Sequence, residues 1–98
     1  MPAYVIGEAE VIRPERMTGY GVLVAESIAA YGGRYLARGV KPLVLEGGPA
    51  HNVLIIEFPD LETAQRWYAS EAYAAAKKVR AGNTNLRLMI VSDDVKPP

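Results

Sequence analysis

Tyr4, Val5, Ile6, Val11 and Ile12 put β-branched and aromatic bulk along Ala3–Ile12, which predicts a first strand. Gly7 within it predicts a bulge or the close approach of another backbone. Pro14 suits the first position of a helix, where a missing N–H costs nothing, and Glu15 follows in the first turn. Met17, Tyr20, Val24, Ile28 and Tyr31 then recur every three or four residues, one helical face, until Gly32-Gly33 stops the helix. Gly19 and Gly21 weaken its early turns. Arg34–Arg38 predicts a short second strand. Gly39–Asn52 is a connection punctuated by glycine and proline, in which Leu43-Val44-Leu45 has the makings of a short edge strand. Val53–Phe58 is the clearest strand, apolar on both faces over Val53-Leu54-Ile55-Ile56, so both faces call for cover. Pro59 ends it. Asp60 then caps a second helix with Glu62 in its first turn and Leu61, Ala64 and Tyr68 on its inner face. Ser70-Glu71 is a fresh cap and predicts a break, after which an alanine-rich piece runs from Glu71 to Ala81 and stops at Gly82. Leu86–Val91 is the last strand. A single domain over 1–92 and a loose polar tail over 93–98 complete the chain.

Strand, helix, strand, strand, helix, strand makes two halves of similar length, the split βαβ pattern of an α+β, ferredoxin-like domain. Such a domain carries both helices on one face of a four-stranded antiparallel sheet. The other face is left to a second copy, sheet against sheet, enclosing a barrel-like space: a dimeric α+β barrel and a homodimer.

Composition supports self-pairing. With 98 residues the core is thin, yet half the residues are hydrophobic, a surplus that a partner would cover. Lysine plus arginine equals aspartate plus glutamate, 11 each, so the basic excess of a nucleic-acid binder is missing and no nucleic acid is expected. There is no cysteine and one histidine, which excludes thiolate nucleophiles, zinc–thiolate sites and His-rich clusters. No metal site and no cofactor are assigned. Met1-Pro2-Ala3-Tyr4 carries no basic leader before an apolar run, and no apolar stretch approaches the ~20 residues of a membrane helix. A cytoplasmic protein with no membrane partner is expected.

Strand alternation then gathers charge. Tyr4, Ile6, Glu8 and Glu10 share one face of the first strand, opposite the small apolar set Val5, Gly7, Ala9 and Val11. Arg34, Leu36 and Arg38 share a face of the second strand, and Val53, Ile55 and Glu57 a face of the third. With charges kept off the helix-packed side, Glu8, Arg34, Arg38 and Glu57 meet on the open face, joined by Arg87, and Glu57 is expected within ion-pair reach of Arg34 or Arg38. One meaning is a structural ion-pair network at the dimer interface. The other is the wall of a cavity for a small molecule, with Glu57 and Arg34 as candidate catalytic groups. Trp67, Tyr68, Tyr73, Lys77 and Arg80 form a second group; they either pack as core and rim or frame the mouth of a pocket for an anionic ligand. His51, in a Gly/Pro loop, is the natural suspect for proton transfer near neutral pH, although no orienting partner is visible around it. Gly47-Gly48 lacks the lysine and helix of a phosphate loop.

Tyr31-Gly32-Gly33-Arg34-Tyr35-Leu36-Ala37-Arg38-Gly39, Val44-Leu45-Glu46-Gly47, Ile56-Glu57-Phe58-Pro59, Trp67-Tyr68 and Glu71-Ala72-Tyr73 resemble, in order and over nearly the whole chain, the family called domain of unknown function 1330. The resemblance implies a ferredoxin-like protomer in the dimeric α+β barrel superfamily. That superfamily includes cofactor-free monooxygenases, small-ring isomerases and haem-handling enzymes that work between helices and sheet. It places Arg34, Arg38, Glu57, Trp67, Tyr68 and Tyr73 at family-typical positions. Arg13 departs from the pattern, which usually offers an acidic or small polar cap before the proline, and so unsettles where the first helix starts. Two functions stay open: an uncharacterised homodimer that binds or transforms a small organic molecule, with Glu8, Arg34, Arg38, Glu57, Trp67, Tyr68, Tyr73 and Lys77 as ligand contacts, or a non-catalytic dimeric module whose charged network is structural.

Overall fold

Alternation along the first strand decides which side of the sheet the helices take. Ala3 and Val5 are fully buried, and Gly7 is buried with them, whereas Tyr4, Ile6, Glu8 and Glu10 point the other way and stay partly exposed. The computed structural model describes residues 1–96. Its strands are β1 (Ala3–Val11), β2 (Arg34–Val40), β3 (Asn52–Phe58) and β4 (Thr84–Val91), and its helices α1 (Tyr20–Ala30), α2 (Leu61–Tyr68) and α3 (Glu71–Arg80). The sheet order is β2-β3-β1-β4 with every neighbouring pair antiparallel. β1 and β2 therefore run parallel with β3 between them, as do β3 and β4 with β1 between them, which is the ferredoxin-like arrangement.

Helix ends follow the side chains that can satisfy them. Asp60 accepts from the Thr63 N–H at 2.7 Å and starts α2. The Ser70 hydroxyl donates to the Trp67 carbonyl at 2.7 Å and accepts from the Tyr73 N–H at 3.1 Å, so one serine closes α2 and opens α3. The core lies between sheet and helices. Val5, Ile56 and Phe58 come from the strands, Val24 and Ile28 from α1, Ala64 and Trp67 from α2, and Tyr73 and Ala76 from α3. Its centre is aromatic: Trp67 stands 5.2 Å from Phe58 and 4.2 Å from Tyr73 between ring centroids. Such pairs add about 0.5–1.5 kcal/mol each beyond the area they bury.

Several expectations change. The first helix begins at Tyr20 rather than Pro14; Pro14–Arg16 forms one 3-10 turn, and Gly19, with φ 80°, takes the left-handed conformation that reorients the chain into α1. Arg13 caps nothing; its guanidinium donates to the Gly82 carbonyl at 2.6 Å and ties this turn to the end of α3. Gly7 forms no bulge, since β1 pairs continuously on both sides. Its missing side chain makes room instead: a Cβ there would sit 2.9 Å from Leu88 Cδ1 and 3.0 Å from Leu54 Cγ. Leu43-Val44-Leu45 is not a strand, and Leu43 and Leu45 are 87 and 86% exposed. After β4 a short turn forms, with the Asp94 N–H on the Ser92 hydroxyl at 3.1 Å; the expected tail reaches residues 97 and 98, which lie outside the described residues.

The consequential change is in β2. Arg34 pairs with Glu57 and Tyr35 with Ile56, but the next partner of Ile55 is Ala37, so Leu36 is an extra residue, a β-bulge. Beyond the bulge the alternation is reset. Arg38, expected beside Arg34, turns to the helix side. Its Nη2 donates to the Gly21 carbonyl of α1 at 3.2 Å, and its guanidinium carbon stands 4.9 Å over the Tyr35 ring.

Candidate functional site

The two sides of the sheet offer different chemistry. On the open side Ile6, Leu36, Ile55 and Met89 make an apolar middle, with Leu36 48% and Met89 40% exposed. Charges stand at its two ends. At one, Arg34 Nε donates to Glu57 Oε1 at 2.9 Å. At the other, Glu8 Oε1 accepts from the His51 backbone N–H at 2.9 Å, Glu10 Oε1 accepts from Asn85 Nδ2 at 3.2 Å, and Arg87 is the cross-strand partner of Glu8. The two ends are four residues apart along the strands, roughly 13 Å at the rise of a β-strand. The single charged cluster expected from alternation is thus two separate ones. His51 gains the neighbour that the sequence did not reveal, Glu10 Oε2, but at 3.8 Å, beyond a hydrogen bond. The Arg34 and Glu57 side chains are 70 and 25% exposed, a surface pair worth under about 1 kcal/mol.

The helix side is enclosed and aromatic. An inner cavity of about 40 Å³ is lined chiefly by Tyr20 from α1, Tyr35 from β2, Trp67 from α2 and Tyr73 from α3, floored by Leu54, Ile56 and Leu88. An outer cavity of about 180 Å³ opens at the β4 edge, lined by Val5, Trp67, Tyr68, Leu88, Met89 and Ile90. Trp67 and Leu88 wall both, so the two cavities adjoin across these side chains. The indole is held in place: its Nε1–H donates to Ser27 Oγ at 3.0 Å, and that hydroxyl donates to the Val24 carbonyl at 2.7 Å, all buried. Burial pushes the Tyr20 phenol up to about 12, with the neighbouring Tyr73 adding to it and Arg80 opposing. Tyr73 and Tyr35 are also raised by burial, opposed chiefly by Arg80 and Arg38 respectively. All three hydroxyls therefore keep their protons at neutral pH, as hydrogen-bond donors inside an apolar enclosure. Arg80 Nη2 donates to the Tyr73 oxygen at 3.4 Å. Among the described residues no group of three His, Asp or Glu side chains is placed to hold a metal, and no helix is long and apolar enough to cross a membrane.

A family model for a domain of unknown function (DUF1330) matches residues 2–93. The chain belongs to this family. Among solved structures, a DUF1330 chain of this shape is similar to a protein of unknown function from Rhodopseudomonas palustris, at 20% identity and a TM-score of 0.74, over 98% of this chain and 84% of that one. It is similar to a dimeric ferredoxin-like protein of unknown function from Jannaschia sp. CCS1, at 7% identity and a TM-score of 0.69, over 94% and 99% of the two chains. It is also similar to SnoaB, a cofactor-independent oxygenase from Streptomyces nogalater, at 11% identity and a TM-score of 0.63, over 99% and 97%. A search of curated proteins finds no match.

The expected site residues of this DUF1330 chain thus fall into three places. Glu8, Arg34 and Glu57 are on the open face with His51 at its margin. Trp67, Tyr68 and Tyr73 are on the helix side, where Trp67 and Tyr73 are core as well as cavity wall. Lys77 serves the helix joint: its Nζ donates to the Tyr68 carbonyl at 3.0 Å and stands 4.1 Å from the Tyr68 ring centroid. Tyr20 and Tyr35 line the inner cavity without having been singled out. Their trace in the sequence is a phenol at a core-facing position of a helix and of a strand, where an apolar ring without a hydroxyl would pack more cheaply.

Proposed function

We propose that this chain pairs with a second copy through its open sheet face and binds, or acts on, a small organic molecule of largely apolar body in the space between sheet and helices. The observation that carries this reading is the pair of adjoining apolar cavities, about 180 Å³ and about 40 Å³, both walled by Trp67, the smaller lined by three protonated phenols. Apolar walls with a few convergent polar groups are the usual make-up of a small-molecule site. Self-pairing is supported by the half-exposed Leu36 and Met89 on the two edge strands, which flank Ile55 and Ile6 on the open face, and by the dimeric ferredoxin-like neighbours. The Arg34–Glu57 pair at one end and Glu8 and Arg87 at the other then flank the paired sheets, a structural role on the side of the sheet away from the cavities. The likeness to a cofactor-independent oxygenase extends to the fold, and no reaction is assigned from it.

A second reading, a non-catalytic dimeric module, draws on the size of the inner cavity, which holds little more than one water. The experiment that separates them uses toluene as a probe, followed by methyl and indole NMR shifts. Binding shifts Val5, Leu88, Ile90 and Trp67 and leaves Leu36 and Ile55 still; no shift at saturating toluene refutes the binding reading and leaves the module. Pairing is tested by sedimentation equilibrium of Ile55→Lys against the parent: the parent sediments as a dimer and the variant as a folded monomer. A monomeric parent overturns the pairing.

A further inference from the structure

A phenol offers one proton and two acceptor positions. At Tyr73 the oxygen accepts from Arg80 Nη2 at 3.4 Å, and the Tyr20 hydroxyl lies against it. The two phenols share one hydrogen bond, so one of their two protons has no acceptor among the hydrogen bonds of the described residues, although Tyr73 is 2% exposed. A second donor is stranded beside it: Arg80 Nε is buried with no hydrogen-bond partner among the described residues. A buried donor left without an acceptor is costly, so a ligand oxygen that meets it is favoured. The lining of the inner cavity contains no carboxylate to meet them, only phenols, indole and aliphatic groups.

We infer that the cavity recognises its molecule through an acceptor oxygen, a carbonyl or carboxylate oxygen on an apolar or aromatic body, which takes the proton that the Tyr20–Tyr73 pair leaves over. This rests on the binding reading above and names the chemical class of its ligand. The dimensions agree with a divided ligand. About 40 Å³ beside Tyr73 admits one oxygen-bearing head and not a ring, while about 180 Å³ at the β4 edge takes the body. Leu88, which walls both spaces, is the side chain that turns to join them. Arg80 supports the arrangement by its charge: hydrogen bonds with an ionised donor behind a phenol make that phenol a stronger donor in front.

The test titrates the full chain with ethylbenzene, acetophenone and benzoate, read by the emission of Trp67, the single tryptophan, and by NMR shifts at Leu88. Acetophenone or benzoate is expected to bind at least tenfold tighter than ethylbenzene, and the double change Tyr20→Phe with Tyr73→Phe to bring that ratio near one. The phenylalanine keeps the ring that stacks on Trp67, and a thermal melt verifies that the variant folds. Should it not fold, Arg80→Met serves in its place, with the ratio expected to fall at least threefold. Equal binding of ethylbenzene and both oxygen-bearing probes, or a ratio untouched in the variants, overturns the inference and leaves the binding reading standing. Failure of all three probes to bind overturns both.

Discussion

Replacing Ser27 by alanine removes one oxygen and leaves the indole N–H of Trp67 stranded. The serine is 1% exposed and accepts that N–H at 3.0 Å while donating to the Val24 carbonyl at 2.7 Å. Loss of the second bond is cheap, since the carbonyl keeps its helical environment. Loss of the first leaves a buried donor without a partner, at about 1–3 kcal/mol. Taking about 2 kcal/mol, and 4–8 °C per kcal/mol for a domain of this size, the melting temperature falls by about 8–16 °C. The assay is urea or thermal unfolding at one fixed protomer concentration, so that self-association does not enter the comparison. In a Trp67→Phe background the same serine change strands nothing and costs under about 0.5 kcal/mol, so a double-mutant cycle returns a coupling of at least about 1 kcal/mol. An equal cost in both backgrounds refutes the reasoning, for it would mean that Ser27 acts by packing alone.

Two further outcomes follow from the same enclosure. Tyr20 carries a folded pKa of about 12 against 10.0 for an ordinary phenol; the folded state holds that proton longer, so its contribution is intact below pH 10 and is lost between pH 10 and 12. Stability measured across that window declines less steeply in Tyr20→Phe than in the parent, and parallel profiles would count against a buried Tyr20. Gly33→Ala drives a Cβ to 2.6 Å from Phe58 Cε1 and 2.9 Å from Ile28 Cγ2, and overpacking of that kind costs about 1–3 kcal/mol; chemical denaturation with an unchanged midpoint would show that the core yields.

Most of the architecture is legible in the chain because its punctuation is chemical. Pro59-Asp60 and Ser70-Glu71 set helix starts that side-chain hydrogen bonds then realise. Of the small apolar set Val5, Gly7, Ala9 and Val11, the first two are buried on the packed face of β1 while Val11 is 49% exposed at its end, and Glu57 meets Arg34 as alternation requires. The first helix escapes because Pro14 opens a helix of either kind, and only the φ of Gly19 shows that the α-helix has yet to begin. Arg38 escapes because a bulge is a property of two paired strands, while alternation is counted along one. The site escapes more fully. Tyr20, Tyr35 and Tyr73 come from three different elements, and their convergence depends on how α1 and α3 cross the sheet, which no local pattern encodes.

The extra residue in β2 acts as a switch in the plan of the molecule. One inserted position turns Arg38 onto the helix side, against α1 and the Tyr35 ring, whereas a regular strand would deliver it to the open face beside Arg34. Removing or adding a single residue near Leu36 would exchange the faces of Arg38 and its neighbour Ala37 while Arg34 and Tyr35 stay as they are, so chain length at one edge of the sheet sets which side receives the charge.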